Sequence, residues 1–160
     1  MIKTFYEEFA FIILPLHNIA SIVWIGGMVM FIVAVYPSLK QIPNEKVMIR
    51  TSLRTFRRYF NFLFPFIMIL AMTGVIMEIG QGYETKDPTL GAIVGTKEAI
   101  WVLMFLNFLF GYYKIIEAKK RCLASDSPQA KDNIRLISHY LFTINIFLGL
   151  TALYFGMMLS

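Results

Sequence analysis

Two ionisable side chains lie in long apolar stretches of this sequence and are the first candidates for chemistry. His17 stands within the stretch 10–36, and Lys97 opens the stretch 97–116. An ionisable group inside a bilayer is unfavourable unless it is paired or ligated, so residues of this kind mark functional sites. A neutral imidazole in an apolar pocket is a good ligand for haem iron. His17 is therefore the first candidate for a cofactor ligand.

The residues that share a helix face with His17 suit a flat ring. In a helix of 3.6 residues per turn this face combines small and aromatic residues, namely Ala20, Ser21, Trp24, Gly27, Met28 and Phe31. Pro15 removes a backbone hydrogen bond just before His17 and predicts a kink there. The alternative interpretation is a histidine that is hydrogen-bonded between two helices.

Lys97 is predicted to lie at nearly the same depth as His17. A count of about 1.5 Å per residue from the middle of each apolar stretch places the two within one helical turn of each other. Lys97 shares its face with Trp101 and Met104, so one ligand could contact both helices. The alternative for Lys97 is an interfacial lysine that pairs with Glu98 or extends to the headgroups.

His139 is the second histidine, and the same count separates it from His17 by about 20 Å along the membrane normal. Two axial imidazoles on one iron must almost touch it, so His17 and His139 are not expected to share a haem. His139 then contacts a second cofactor or a partner subunit, or it is a structural residue of the membrane interface.

The methionines offer a different chemistry. Thioethers together with an imidazole select Cu(I), and five methionines could point inward from the apolar stretches, namely Met28, Met68, Met72, Met104 and Met157. Ordinary packing is the alternative, because methionine fills irregular gaps between helices.

The elements that must position these residues are four transmembrane helices. The chain has 160 residues, of which 58% are hydrophobic and only 16% are charged, whereas a globular domain carries roughly 25% charged residues. A bilayer core of about 30 Å needs about 20 apolar residues in a helix, and four stretches qualify, at 10–36, 59–79, 97–116 and 136–159. We predict an all-α integral membrane protein, a four-helix transmembrane bundle in a single domain 1–160.

Other classes of protein are excluded by what the sequence contains. Cys122 is the single cysteine, so neither an intramolecular disulfide nor a cysteine metal cluster can form. The sequence holds no plausible Ser-His-Asp set of a soluble hydrolase. Asn61 and Asn107 lie within apolar stretches and are predicted to form hydrogen bonds between helices.

Lys and Arg collect in two of the three loops, which predicts orientation. The first and third loops hold most of the basic residues, namely Lys40, Lys46, Arg50, Arg54, Arg57, Arg58, Lys114, Lys119, Lys120, Arg121, Lys131 and Arg135. The formal net charge of +5 is therefore a topology signal, and no nucleic acid partner is expected. Both basic loops should be cytoplasmic, with loop two and both termini outside.

Both basic loops also carry signals for helix starts. Pro43 with Glu45, and Ser127 with Pro128, are typical of the first turn of a helix, so helices two and four should begin before they enter the membrane. Arg50, Arg54 and Arg57 then form a stripe on one face of helix two. This stripe either anchors the chain to anionic membrane lipid or receives a carboxylate-bearing ligand. The glycines around loop two, Gly80, Gly82, Gly91 and Gly95, are interpreted as turn residues.

Several short motifs resemble a group of small bacterial four-helix membrane proteins. The motifs are Leu16-His17 with Trp24-Ile25-Gly26-Gly27, then Arg57-Arg58-Tyr59-Phe60, Met72-Thr73-Gly74, and Lys97 at the start of the third helix. The group includes the HemJ-type protoporphyrinogen IX oxidases and the membrane domain of CopD-type copper-resistance proteins. The resemblance covers about the first 115 residues, and it implies residence in a bacterial inner membrane.

The resemblance implies a cofactor, haem b, and roles for particular residues. It makes His17 the haem ligand and Lys97 a second ligand or an active-site cation, hence the catalytic candidate. Trp24, Met28 and Trp101 are expected to contact the ring, and Arg57 and Arg58 to contact porphyrin carboxylates. The expected function is a haem b redox protein that passes electrons to a quinone or a partner protein. Three alternatives stay open: a protoporphyrinogen oxidase with a porphyrin substrate, a copper-transport or copper-tolerance protein, and a structural assembly subunit. A homodimer is a further candidate partnership.

Overall fold

The computed structural model describes residues 2–82, 88–124 and 126–158 as an antiparallel bundle of four helices. We number them α1 (Ile2–Lys40), α2 (Glu45–Gln81), α3 (Pro88–Leu123) and α4 (Ser127–Met158). The described residues contain no β-strand. The prediction of an all-α four-helix bundle is confirmed.

The four helices carry apolar side chains on their outer surface as well as their inner one. In the most apolar 18-residue window of each helix, between 17% and 33% of the residues are buried within the bundle. Large apolar side chains such as Phe11, Ile22, Val33 and Phe147 are more than 60% exposed. All four helices are long and apolar enough to cross a membrane. The chain therefore has the features of a multi-pass membrane protein.

Local sequence explains where α2 and α4 begin. The Asn44 side chain accepts a hydrogen bond from the backbone N–H of Val47 at 3.1 Å, and Asp126 accepts one from the N–H of Gln129 at 3.4 Å. These caps satisfy N–H groups that have no partner within the helix. The predicted helix starts near Pro43 and at Ser127 are therefore confirmed.

The prediction that the glycines around loop two are turn residues is correct for one and wrong for three. Gly82 ends α2 in the left-handed conformation with φ of 60°, a conformation that glycine adopts without strain. Gly91 and Gly95 instead lie inside α3, and Gly80 lies inside α2. Gly80 is buried because the Tyr6 ring of α1 occupies the space that a side chain would need. The charged residues of loop two, Glu84, Lys86 and Asp87, lie outside the described residues.

Cross-helix contacts set the register of the bundle. At one end, which we call the terminal end because α1 begins and α4 ends there, Gln81 donates a hydrogen bond to the Tyr6 hydroxyl at 2.7 Å. Further along, Phe31 of α1 packs on Phe56 of α2 with ring centroids 4.4 Å apart, and Phe142 of α4 closes this aromatic cluster. The opposite end, which we call the basic end, holds the α1–α2 and α3–α4 connections. The His17 level is thus shared by the C-terminal part of α2, the start of α3 and the end of α4.

One predicted interhelical hydrogen bond is confirmed and the other is wrong. Asn107 of α3 donates to the side-chain oxygen of Asn145 on α4 at 2.9 Å, and Asn145 donates to the carbonyl of Met104 at 3.2 Å. Asn61 is exposed and has no hydrogen-bond partner in the described part of the chain. Apolar flanks do not reveal which way a polar side chain faces, and Asn61 faces outward.

Two segments of π-helix interrupt α1 and α4 at nearly the same height, Phe31–Val35 and Leu136–Leu141. In the first, Tyr36 N–H bonds to Phe31 C=O, which widens the turn just before Pro37. This widening accommodates a proline ring that would meet the carbonyl four residues earlier. In the second, the Ser138 hydroxyl donates a hydrogen bond to the Ile134 carbonyl at 3.0 Å. It therefore competes with a backbone N–H for this acceptor.

Close packing of α4 on α1 and α3 gives a first testable prediction. A Cβ at Gly149 would lie 2.7 Å from Ile25 Cγ1 and 3.4 Å from Met104 Cε, so Gly149→Leu overfills the core. We expect it to lower the free energy of unfolding by about 1–3 kcal/mol, measured as the thermal midpoint in detergent. The control is Gly26→Ala, because a Cβ there meets nothing within 4 Å. Equal thermal midpoints for the two variants would contradict this packing.

Candidate functional site

His17 forms a hydrogen bond that fixes its protonation pattern. Its Nδ1 lies 2.8 Å from the hydroxyl oxygen of Thr73 on α2. That hydroxyl has a single proton, which it donates to the carbonyl of Ile69 at 2.7 Å, with the carbonyl of Leu70 at 3.2 Å as a second acceptor. The Thr73 oxygen is then left to accept from His17, and this hydrogen-bond network assigns the imidazole proton to Nδ1.

The other nitrogen of the His17 ring is then left with its lone pair. A neutral imidazole protonated on Nδ1 is unprotonated on Nε2, and Nε2 has no hydrogen-bond partner among the described residues. The arrangement is typical of metal-binding histidines, which donate the second ring N–H to a neighbouring acceptor that holds the ring in place. His17 is half-buried, so a ligand could reach it. The hydrogen bond to Thr73 also realises the alternative of a histidine bonded between helices, and the two interpretations are compatible.

Lys97 lies close enough to His17 for its charge to act on the imidazole. The lysine is half-buried, and a Cβ at Gly156 of α4 would lie 3.7 Å from its Nζ. In the described part of the chain it has neither a hydrogen bond nor an ion pair, and Glu98 does not pair with it. The two side chains therefore lie at a similar level of the bundle, where the count of helix rise from the sequence puts them. An unpaired cation at this position is available to a ligand.

Each of the four helices contributes to this level of the bundle. α1 supplies His17, α2 supplies Thr73 and Gly74, α3 supplies Lys97, and α4 supplies Gly156. A Cβ at Gly74 would lie 3.7 Å from His17 Cε1, so the absence of a side chain there leaves space beside the ring. Glycine beside each of the two nitrogen-bearing side chains keeps their surroundings open.

The two tryptophans and Met28 lie between this level and the basic end. Trp101, one turn after Lys97, stacks on Phe105 with ring centroids 5.2 Å apart, and its Nε1 is buried with no hydrogen-bond partner in the described residues. Trp24 and Met28 are each 1% exposed and belong to the main apolar core. His17 therefore shares its helix face with the buried Trp24 and Met28, as the helical spacing predicts.

Arg57 and Arg58 are not brought to His17. Both are exposed on α2. Arg57 precedes Thr73 by 16 residues, which is about 24 Å of helix rise. His139 is also at the basic end, where its ring meets Tyr36 edge-on at 5.2 Å. Tyr36 follows His17 by 19 residues, about 28 Å of helix rise, so His139 lies far from His17 as predicted.

The predicted methionines do not converge on one place. Met28 and Met104 are buried in the core, whereas Met72 and Met157 are 66% and 69% exposed. Within the described ranges, no group of three or more His, Cys, Asp or Glu side chains could hold a metal ion. A metal bound at His17 would therefore need most of its ligands from a source other than these side chains.

Thr73 is the residue whose role sequence reasoning missed. It was noted as part of the motif Met72-Thr73-Gly74 but not as a partner of His17. The signal was available, because Thr73 stands six residues before the end of the stretch 59–79 and His17 seven after the start of 10–36. In antiparallel helices these positions meet at one depth.

Comparisons with protein-family models, with curated proteins and with solved structures found no match for this chain.

Proposed function

We propose that this protein is a haem b-binding redox protein of the membrane, with the haem held at the His17 level in the terminal half of the bundle. The observation that carries the proposal is the hydrogen bond from His17 Nδ1 to Thr73. It leaves the Nε2 lone pair for a metal, in the tautomer and with the second partner that metal-binding histidines use.

Lys97 and Trp101 fit a carboxylate-bearing ring beside His17. Lys97 Nζ and Trp101 Nε1 are hydrogen-bond donors one turn apart on α3. Trp101 Nε1 is buried without a partner among the described residues, and none of their hydrogen bonds or ion pairs involves Lys97. Haem b carries two propionates that could accept from such donors. Nε1 is enclosed by protein, so the indole must turn to reach a ligand, whereas Lys97 is half-exposed already.

The small number of protein ligands favours haem over a bare metal ion. Haem iron takes four nitrogen ligands from its own ring and needs one or two from the protein. Bare Cu(I) needs its soft ligands from side chains, and Met72 and Met157 face outward. The donor set around His17 is therefore sufficient for haem and sparse for copper.

Bound haem would supply one-electron chemistry, and the chain would bind and orient it. Thr73 would hold the His17 ring, and the apolar residues below it would keep water away. The excess of Lys and Arg at the basic end supports an orientation with that end in the cytoplasm of a bacterium and both termini outside the inner membrane. A quinone or a partner protein would exchange electrons with the site.

A haem titration tests the proposal. Purified protein in detergent is titrated with haem b, and the Soret absorption is followed. We expect saturable binding in the unchanged protein and the same affinity in His139→Ala, because His139 lies at the far end of the bundle. Absorption that rises linearly without saturation, as for haem dissolved in micelles, would overturn the proposal. Porphyrin fluorescence developing from added protoporphyrinogen would extend it to the oxidase alternative.

Two substitutions of Lys97 separate its two proposed roles. If the amine is the second axial ligand, both Lys97→Met and Lys97→Arg shift the haem absorption bands, because neither side chain reproduces its ligation. If Lys97 instead pairs with a propionate, Lys97→Arg keeps the spectrum and the affinity, and Lys97→Met weakens binding by roughly 10-fold, the range for a charge-assisted hydrogen bond. Wild-type spectra and affinity in both variants would contradict either role.

A further inference from the structure

A second candidate site lies at the basic end, where the two π-helical segments of α1 and α4 contact each other. The Tyr36 ring, which is 8% exposed, meets the His139 ring edge-on, with centroids 5.2 Å apart and an interplanar angle of 86°. His139 itself is exposed. Because π-helical turns cluster at functional sites, the contact of two such turns beside an exposed histidine makes this place a candidate site.

Two cations join His139 around Tyr36. Lys40 Nζ lies 4.6 Å from the centroid of the Tyr36 ring. Arg135 precedes His139 by four residues on α4, so the two side chains lie about one turn apart on the same helix. Lys40 and His139, from two helices, therefore both lie against the Tyr36 ring, and Arg135 lies beside His139. We call these four residues the basic cluster.

The basic cluster has no anionic partner within the described part of the chain. Carboxylates of the basic end pair with other cations, Glu45 with Lys131 at 3.3 Å and Glu117 with Lys114 at 2.7 Å. Asp126 lies 3.7 Å from Arg121. Asp132, one turn before Arg135, forms no ion pair with it. The cluster therefore has excess positive charge that an external anion could neutralise.

The depth of the basic cluster corresponds to the headgroups of one membrane leaflet. Tyr36 follows His17 by 19 residues, about 28 Å of helix rise, and it ends the apolar stretch 10–36. On the bilayer side of it, Val29, Met30 and Val33 are 40%, 57% and 71% exposed. Charge therefore lies next to an apolar surface that an acyl chain could cover, an arrangement that fits a lipid better than a free anion.

We propose that the adjoining faces of α1 and α4 at the basic end bind the phosphate of an anionic phospholipid through Lys40, Arg135 and His139, with its acyl chains on the apolar surface beside Val33. Basic pockets between transmembrane helices bind anionic headgroups in this way. The proposal is independent of what His17 binds. Lipid held there would join α1 to α4 at the place where both helices depart from α-helical geometry.

The test compares a double variant of the cluster with a control of the same charge. Lys40→Gln/Arg135→Gln removes two cations of the cluster, and Lys119→Gln/Lys120→Gln removes two exposed cations of α3 elsewhere at the basic end. Thermal unfolding and native mass spectrometry in detergent are followed as phosphatidylglycerol, phosphatidylcholine or inorganic phosphate is added. At roughly fivefold for each basic residue near the headgroups, the cluster variant should bind phosphatidylglycerol about 25-fold more weakly.

We expect phosphatidylglycerol to raise the thermal midpoint and to stay bound in the mass spectrum, and the other two ligands to have little effect. Only the cluster variant should lose the effect of phosphatidylglycerol. Equal loss in the Lys119/Lys120 control would show general electrostatics and overturn the site. An equal shift with inorganic phosphate would assign it to a soluble anion. Should the cluster variant unfold at a lower temperature without lipid, Lys40→Arg/Arg135→Lys keeps both charges and must bind as the unchanged protein does; weak binding by this variant would also overturn the proposal.

Discussion

We expect His17→Ala to purify without the absorption of bound haem, with at least roughly 10-fold less haem per chain than the unchanged protein. The reason is the role of Nε2. Thr73 fixes the proton of His17 on Nδ1, so the substitution removes a lone pair that no other side chain at this level supplies in the same way. Haem content after purification and the Soret band are the measurements.

A chemical rescue separates loss of the ligand from loss of the fold. His17→Gly leaves a gap of the size of an imidazole ring, so imidazole added to the solution should restore the Soret and reduced α/β bands. The thermal midpoint of His17→Gly without haem shows whether the bundle has kept its packing. A variant that binds haem as tightly as the unchanged protein would exclude His17 as the ligand.

The second large effect is expected at Thr73, whose hydroxyl is hydrogen-bonded to the ring of His17. Thr73→Val has nearly the same volume but cannot accept the hydrogen bond from Nδ1, so the imidazole is free to turn or to change tautomer. Loss of such a partner typically lowers affinity 10- to 100-fold. We expect that range for haem binding by Thr73→Val, measured by the same titration.

Thr73→Ser is the matched control, because it keeps the hydroxyl and removes one methyl group. It should bind haem within a few-fold of the unchanged protein. A merely structural role of Thr73 predicts a different pattern, in which both variants lower the thermal midpoint and neither alters the haem affinity of the folded protein. Equal haem affinities for the two variants would contradict the role of the Thr73 oxygen as acceptor.

Much of the architecture could be predicted from local signals. Apolar stretches of membrane length predicted the four helices, and the proline and capping residues near 43–45 and 126–128 predicted where α2 and α4 begin. Most residues that follow His17 at helical spacing are buried, including Trp24, Met28 and Phe31. These features depend on residues close in sequence, which is why the sequence alone was sufficient.

Features that depend on contacts between helices could not be predicted in the same way. Gly91 and Gly95 were interpreted as turn residues because glycine favours turns, but they lie inside α3. The π-helical segments follow from the Pro37 ring, which would meet a carbonyl group, and from the Ser138 hydroxyl, which competes for one. Hydropathy records neither effect. The sequence indicates that His17 and Thr73 lie at one depth, but their contact also depends on which helix faces meet, and hydropathy does not give that.

The measurement that tests the central proposal most directly is the absorption spectrum of the protein purified in detergent from haem-replete cells, first oxidised and then reduced with dithionite. We predict a Soret band with sharp α and β bands in the reduced form, present without any added haem. A colourless protein from such cells would contradict the haem proposal, and metal analysis of the same sample would then test the copper alternative.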